Sequence, residues 1–190
     1  MTVRRNALRR AVFLDRDGVI NAANVRRGRP FPPRSVDELE ILPGVREACD
    51  SLKSAGYLLI VVTNQPDIAR KSASSSDVEA IHRELSRALP LDAIRVCPHD
   101  DIDACTCRKP KPGLLVDAAR DLSVDLSASF MVGDRWRDID AGTAAGCSTV
   151  FIDYGYTEPR PIAPDYTAKS LAEIVPILLH SERKRKAIGI

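Results

Sequence analysis

The sequence lacks several features that would assign it to a special class of protein. No run approaches the roughly 18 apolar residues of a membrane-spanning helix, and no segment resembles a cleaved signal peptide. The formal net charge of the 190 residues is only +2, which is too small for general nucleic-acid binding to be expected. The chain also has no internal repeat. These absences favour a soluble protein of the cytoplasm.

The five cysteines are an odd number, which argues against a disulfide framework. Three of them lie close together with a histidine, as Cys97, His99, Cys105 and Cys107. A cluster of thiol and imidazole groups is typical of a metal site in a protein from a reducing compartment. The sequence therefore favours metal binding over disulfide formation at these residues.

Short apolar runs alternate along the chain with helical patterns. The runs lie at 11–14, 57–62, 94–97, 129–132 and 148–152. They are continuous rather than alternating in polarity, as expected for strands that a parallel sheet buries on both faces. Strand–helix alternation at this spacing predicts an α/β fold with a doubly wound, Rossmann-like parallel sheet.

Three local patterns predict where helices begin. The pattern S-x-x-E predicts capped starts at Ser76 and Ser170, and Pro112 suits the first turn of another helix.

The chain divides into one domain and two short ends. We predict a single domain over residues 11–180, with a basic tail at 1–10 and another at 181–190. Residues 22–42, rich in Arg and Pro, fit neither the strand nor the helix pattern and are expected to form a long loop. Its arginines, Arg26, Arg27, Arg29 and Arg34, form either a solvated face or a grip on an anionic part of a substrate.

Polar residues follow the strands at the edge where parallel sheets bind ligands. They are Asp15 and Asp17, then Thr63, Asn64 and Gln65, then Arg108 and Lys109, then Asp134, Arg135 and Asp138. Three carboxylates that converge without compensation would repel one another, so a hard divalent cation is expected among them. The sequence therefore predicts that Mg²⁺ is bound by Asp15, Asp17 and Asp134.

The residue types at this edge suit phosphoryl transfer. Asp15 can act as a nucleophile that forms an aspartyl-phosphate. Asp17 can protonate the leaving alcohol and then activate water for the second step. Thr63 can hold the phosphoryl oxygens, and Lys109 supplies a positive charge opposite Asp15. Asp138 is expected either near the metal or as a helix cap.

Four ordered segments between residues 11 and 152 resemble the motifs of a known family. "FLDRDGVIN", "VVTNQ", "CRKPKPG" and "MVGDRWRD" are similar to the four motifs of haloacid-dehalogenase-type (HAD) phosphatases. More narrowly, they resemble the small branch that holds the heptose bisphosphate phosphatases and the histidinol-phosphate phosphatases. The resemblance implies a Mg²⁺-dependent phosphomonoesterase with no separate cap domain. It also implies a phosphate- and substrate-binding set of Asn21, Thr63, Asn64, Gln65, Arg108, Lys109 and Arg135.

The spacing Cys-x-His-x₅-Cys-x-Cys is tighter than that of common zinc fingers, but three Cys and one His complete a tetrahedral set. Free thiols or a redox pair are the alternatives from spacing alone. The same phosphatase branch carries a structural zinc in this loop, and that resemblance favours zinc. We expect the zinc to fold the loop so that Arg108 and Lys109 are positioned at the phosphate site.

The substrate that the resemblance favours is a sugar phosphate of carbohydrate metabolism. D-glycero-D-manno-heptose 1,7-bisphosphate, hydrolysed at its 7-phosphate, comes first, and histidinol phosphate is the alternative. Less favoured are a polynucleotide 3′-phosphatase and a non-catalytic module that accepts phosphate or binds zinc. A membrane or nucleic-acid partner is not expected.

Overall fold

A parallel sheet forms the centre of the protein. The computed structural model describes residues 8–188, with side chains to residue 180. In that part of the chain the strands are β1 (Ala11–Leu14), β2 (Asn24–Arg26), β3 (Arg29–Phe31), β4 (Leu58–Asn64), β5 (Ala93–Cys97), β6 (Phe130–Gly133), β7 (Ser148–Ile152) and β8 (Tyr166–Ala168). The helices are α1 (Val45–Ser54), α2 (Ser75–Ala88), α3 (Gly113–Leu122), α4 (Trp136–Ala145) and α5 (Leu171–Ile188). Six strands pair in parallel in the order β5-β4-β1-β6-β7-β8.

The central strand β1 is buried on both faces, as its continuous apolar sequence predicts. Val12 and Leu14 contact the core that α1, α2 and α5 cover, and Ala11 and Phe13 contact the core that α3 and α4 cover. All four side chains are 0% exposed. Burying a large apolar side chain contributes about 1.5–3 kcal/mol relative to leaving it exposed, so this strand is anchored from both sides.

The five predicted runs are all strands, and the doubly wound parallel sheet is confirmed. Two strands extend further at their carboxyl ends than predicted, because Thr63 and Asn64 still pair in β4 and Gly133 still pairs in β6. Strand β8 was missed. Its three residues, of which Thr167 is exposed, form too short a run to show a strand pattern.

The helix starts agree with the sequence in two cases of three. Pro112 precedes the first residue of α3, and the hydroxyl of Ser170 accepts the backbone N–H of Glu173 at 3.2 Å. The predicted start at Ser76 is wrong. Ser74 caps α2 instead, because its hydroxyl accepts the backbone N–H of Asp77 at 3.1 Å.

Residues 22–42 are more ordered than the predicted loop. They contain the antiparallel hairpin β2–β3 and a short 3₁₀ turn at Val36–Glu38. The hairpin tip has Gly28 at φ +74°, and the carbonyl of Gly28 accepts the backbone N–H of Thr157 at 2.8 Å. The segment after β7 therefore holds the hairpin beside the carboxyl edge of the sheet.

The two predicted tails lie at the limits of the described chain. Of the N-terminal tail, Leu8, Arg9 and Arg10 are described, and Arg9 pairs with Val124 beside the end of α3. Helix α5 continues to Ile188, so most of segment 181–190 belongs to a helix. Among the described helices, none combines the length and apolar character that crossing a membrane requires.

Candidate active site

Three adjacent strands deliver the predicted polar residues to one edge of the sheet. Asp15 follows β1, and its backbone N–H donates to the carbonyl of Val132 in β6 at 2.9 Å. Thr63 and Asn64 end β4, and Asp134 follows β6. Because β4, β1 and β6 are neighbours in the sheet, these residues meet at its carboxyl edge.

Lys109 is buried opposite Asp15. Its Nζ donates to Asp15 Oδ1 and to the carbonyl of Val62, both at 2.8 Å, and lies 2.5 Å from Asp138 Oδ1. Burial alone would lower the pKa of Lys109, but the carboxylates of Asp138 and Asp15 raise it above its ordinary value. The amine therefore stays charged although it is only 1% exposed.

The side chain of Asn64 fixes the backbone of Lys109. Its Nδ2 donates to the Lys109 carbonyl at 3.0 Å, and its Oδ1 accepts the Lys109 N–H at 3.1 Å. Asn64 was predicted to bind substrate. The contact that the structure gives it is this two-way clamp, which sets the position of Lys109 beside Asp15.

Three carboxylates, those of Asp15, Asp134 and Asp138, converge with oxygen atoms within 4.8 Å of one another. Burial raises the pKa of Asp15 to about 6 in spite of Lys109. Burial, and then Asp15 and Asp138, also raise the pKa of Asp134 well above its ordinary value. One lysine therefore does not balance the three acids, and an additional cation would lower the electrostatic cost.

Asp134 itself points to a missing partner. Both of its carboxylate oxygens are buried without a hydrogen bond of normal geometry. The hydroxyl of Tyr156 approaches this carboxylate and lowers its pKa without completing such a bond. An unpaired buried carboxylate is costly unless it binds a cation, and carboxylate oxygens are the donors that Mg²⁺ prefers. The donor set therefore fits a hard divalent cation.

Two glycines allow the backbone to pass this close to the acids. A Cβ on Gly18, where φ is +87°, would lie 2.0 Å from Asp134 Oδ2. A Cβ on Gly133 would lie 2.1 Å from the Cβ of Asp138. Any larger residue at either position would displace a carboxylate of the cluster.

Asp138 caps the start of α4, one of the two roles that the sequence left open, and also belongs to the carboxylate cluster. Its Oδ2 accepts the backbone N–H of Arg135 at 3.0 Å at the start of α4, and its Oδ1 pairs with Lys109. The third acid of the cluster is therefore the carboxylate of Asp138 and not that of Asp17.

The carboxylate of Asp17 is held by side-chain donors on both oxygens. Oδ1 accepts from Arg16 Nε and Asn21 Nδ2, and Oδ2 accepts from Arg16 Nη2 and Gln65 Nε2, each at 3.0 Å. Asn21 and Gln65 were predicted to bind substrate. Both are buried, and in this structure they contact Asp17 instead. Gln65 also donates to the Thr63 hydroxyl at 3.0 Å.

Arg16 reaches from Asp17 to His82 of α2. Its Nη1 lies 3.0 Å from His82 Nε2. Because a guanidinium can only donate, Nε2 is the acceptor and the ring proton lies on Nδ1. His82 is thus a half-buried histidine with a satisfied ring nitrogen.

His82 makes the stability of the fold pH-dependent. Burial, and then the charge of Arg16, lower the pKa of His82 from 6.5 to about 4. Between these pH values the unfolded chain binds a proton that the folded protein does not, so stability falls as the pH decreases. We expect His82 itself to contribute a loss of about 2 kcal/mol between about pH 7 and pH 4.5, allowing for partial exposure of the ring. The raised pKa of Asp15 contributes in the opposite direction over this range, so the measurement is the difference between the wild type and His82→Gln in urea unfolding. The same pH dependence in both proteins would contradict the assignment.

The Cys/His cluster is assembled as the sequence predicts. Five of the six distances between the ligand atoms of Cys97, His99, Cys105 and Cys107 lie between 3.3 and 3.7 Å. Four ligands about 2.3 Å from a tetrahedral ion would lie about 3.8 Å apart. All of these cysteines are free thiols. The donor set and its spacing therefore fit a tetrahedral zinc ion.

The loop between the cluster's cysteines holds three arginines by ion pairs. Asp100 accepts two hydrogen bonds from Arg70, at 2.6 and 2.7 Å. Asp101 accepts from Arg108 at 2.8 Å and from Arg137 at 3.0 Å. The Cys/His cluster and the aspartates that pair with the arginines are therefore parts of one connected segment.

A cavity of about 320 Å³ opens over Asp15 and Lys109. Its cationic lining consists, besides Lys109, of Arg29, Arg70, Arg108, Arg135 and Arg137. Glu158 partly neutralises Arg135 through two hydrogen bonds at 2.6 and 2.8 Å. Of the four arginines considered in segment 22–42, Arg29 lines the cavity. The lining therefore presents guanidinium groups, most of them in ion pairs, to an anionic substrate.

The structure brings most of the predicted residues to this cavity. Asp15, Asp17, Thr63, Asn64, Arg108, Lys109 and Arg135 line it, whereas Asn21, Gln65 and Asp134 lie behind it. Sequence reasoning missed Arg70, Arg137 and Glu158. Arg137 stands three residues after Asp134 and directly before Asp138, and that placement was the available signal.

Comparison with known proteins agrees with this arrangement. Residues 106–174 match the HAD-hydrolase-like family model. The chain is 41% identical over 152 residues to the D-glycero-beta-D-manno-heptose-1,7-bisphosphate 7-phosphatase of Photorhabdus laumondii, covering 73% of this chain and 77% of the relative. It is 37% identical over 183 residues to the enzyme of the same name from Escherichia coli K12, covering 86% and 91%.

A solved structure is similar to this chain in fold as well as in sequence. The D,D-heptose 1,7-bisphosphate phosphatase of B. bronchiseptica, complexed with magnesium and phosphate, superposes with a TM-score of 0.75. The two chains are 33% identical over 90% of this chain and 99% of the other. Fold and site therefore define an HAD-like phosphatase, a phosphoric monoester hydrolase. Within that class, the chain belongs to the family of the heptose-1,7-bisphosphate 7-phosphatases. The predicted resemblance is confirmed, and the non-catalytic alternatives are set aside.

Proposed function

We propose that this protein hydrolyses D-glycero-β-D-manno-heptose 1,7-bisphosphate at its 7-phosphate. The observation that carries the proposal is the pair of Asp15 and buried Lys109, 2.8 Å apart, at the base of an arginine-lined cavity. The names of relatives that cover most of the chain supply the substrate.

In the first step, a carboxylate oxygen of Asp15 attacks the phosphorus atom of the 7-phosphate. An Asp15–phosphate bond forms, the bond from phosphorus to the sugar oxygen breaks, and Asp17 gives a proton to that oxygen. In the second step, Asp17 takes a proton from water, the water oxygen bonds to phosphorus, and the bond to Asp15 breaks. Inorganic phosphate leaves, and both aspartates return to their initial states.

The chain's own residues supply most of the positioning for these steps. Lys109 holds Asp15 and places a fixed positive charge beside the incoming phosphoryl group, and Thr63 is available to donate to its oxygens. Asp15 and Asp134, with Asp138 beside them, would hold Mg²⁺, which offsets the phosphoryl charge when bound. The predicted part of Asp17 in the metal site has no support from its carboxylate, which is engaged by Arg16, Asn21 and Gln65.

The Cys/His cluster is proposed as a structural zinc site. Its four ligands leave no open position for substrate or water, so its role is to order the loop that carries Asp100 and Asp101. Those carboxylates in turn hold Arg70, Arg108 and Arg137 at the cavity.

A bisphosphate substrate would give the arginines of the cavity wall a second phosphate to bind. One phosphate would lie beside Asp15 and Lys109, and the 1-phosphate would be recognised by guanidinium groups of the wall, Arg108 and Arg137 among them. Histidinol phosphate, the second candidate, carries a single phosphate and would leave Arg108 and Arg137 paired with Asp101 alone.

Phosphate release from a substrate panel tests the proposal. The panel contains heptose 1,7-bisphosphate, heptose 7-phosphate, histidinol phosphate and a 3′-phosphorylated oligonucleotide, each with Mg²⁺ and with EDTA. We expect the highest kcat/KM for the bisphosphate and none of that activity in EDTA. Arg137→Ala should lower kcat/KM about 10-fold or more for the bisphosphate and less for the 7-monophosphate, because charged hydrogen bonds contribute about 1.5–3 kcal/mol.

Arg26→Ala is the matched control. Arg26 lies on the same side of the protein in the β2–β3 hairpin, but it is exposed and outside the cavity lining. Its kcat/KM values should match those of the wild type. A higher kcat/KM for histidinol phosphate than for the bisphosphate would overturn the proposed substrate.

The proposed location is the cytoplasm, in keeping with the free thiols.

A further inference from the structure

We propose that His82 is a positioning residue that acts through Arg16 to set the direction of the Asp17 carboxylate. The inference rests on the proposed function, because it requires Asp17 to act as the acid and base. His82 belongs to α2, outside the four motifs, and does not line the cavity above Asp15.

The contacts form one chain from α2 to the site. The Arg16 guanidinium is fully buried, and each of its three nitrogens has one partner. Nε and Nη2 donate to the two oxygens of Asp17, and Nη1 donates to His82 Nε2, all at 3.0 Å. Three contacts define the plane of a rigid guanidinium, so the ring of His82 determines how the other two nitrogens face Asp17.

Removal of the acceptor at His82 would release this arrangement. A buried Nη1 without a partner costs free energy, and the guanidinium would turn to find another acceptor. Its two bonds to Asp17 would then change, leaving Asn21 and Gln65 as the remaining donors to that carboxylate. The charged groups that act on His82 are Arg16 and Asp17, and burial with the Arg16 charge keeps the ring neutral and able to accept.

Leaving-group chemistry separates a positioning role from a merely structural one. A sugar alkoxide needs a proton from Asp17 to leave, whereas the nitrophenolate of p-nitrophenyl phosphate leaves without one. A misdirected Asp17 should therefore slow the first turnover with the sugar phosphate and spare the first turnover with the aryl phosphate. Rapid-mixing measurements of leaving-group release report this step before the second step limits the rate.

The variants test the acceptor atom itself. His82→Phe keeps a ring of similar size without an acceptor, and we expect first-turnover release of the sugar to fall about 10–100-fold. His82→Asn, whose amide ends one bond short of the Nε2 position, should behave like His82→Phe. His82→Gln can place an oxygen near that position and should stay within about threefold of the wild type. Arg83→Ala, an exposed neighbour on α2, is the control and should match the wild type.

Other results of these measurements would contradict either the positioning role or the proposed function. The positioning role would be overturned if the His82 variants slowed the sugar phosphate and the aryl phosphate equally, and if His82→Gln and His82→Asn had the same rates. Wild-type rates in His82→Asn would also overturn it, and this variant stays informative even if His82→Phe fails to fold. Absence of release from every alkyl phosphate by the wild-type protein would instead refute the proposed function.

Discussion

Replacement of Asp15 by Asn is expected to lower kcat for phosphate release by at least about 10⁴-fold, because the amide that replaces the proposed nucleophile cannot form the covalent intermediate. The loss should occur without unfolding. Burial and the neighbouring acids raise the pKa of Asp15 to about 6, so its ionised form is disfavoured in the folded protein, and a neutral isostere relieves that cost.

Steady-state kinetics and thermal unfolding in EDTA measure the two effects. We expect kcat to fall and the melting temperature to stay the same or rise. Asp117→Asn makes the same chemical change at a surface pair with Arg120 and should leave both quantities unchanged. Phosphate release by Asp15→Asn at more than about one-hundredth of the wild-type rate would show that another group is the nucleophile.

Replacement of Cys105 and Cys107 by Ser is the second large change. Two of four ligands are lost, so the protein should contain no zinc at this site and should be several kcal/mol less stable. Activity toward the bisphosphate should fall about 100-fold or more, because Asp101 would no longer hold Arg108 and Arg137 at the cavity.

Zinc content by elemental analysis, urea unfolding and kcat/KM are the measurements. Cys147→Ala is the matched control, because Cys147 is a buried thiol in the apolar core outside the cluster, and it should retain zinc and activity. Loss of zinc together with unchanged kcat/KM would refute the positioning role of the loop. Retention of zinc would refute the ligand set.

The central part of the fold could be read from short stretches of sequence. Residues 11–14 are all apolar because both faces of β1 are covered, and that local pattern is visible without a structure. The hairpin at 24–31 could not be read in this way. Its strands are largely exposed and three residues long. The position of its tip depends on the hydrogen bond from the Thr157 N–H to the Gly28 carbonyl, and these residues are more than a hundred positions apart.

Some features of the candidate site could likewise be read from the sequence, and others could not. Asp15 and Lys109 were identified from residue type at strand ends, and their side chains meet although 94 residues separate them. The family resemblance assigned Asn21, Asn64 and Gln65 to the substrate. Their side chains instead hold Asp17 and Lys109, a choice that depends on rotamers and on the distance between strands.

The sequence by itself determined the parallel sheet, the nucleophile and acid/base candidates and the Cys/His cluster, because these depend on residue type and short spacing. Only the tertiary structure decided that Asp138 joins Asp15 and Asp134, that Asp101 holds two cavity arginines, and that His82 contacts Arg16. Those contacts join segments distant in the chain, and they form only after the packing of strands and helices has set the distances between side chains.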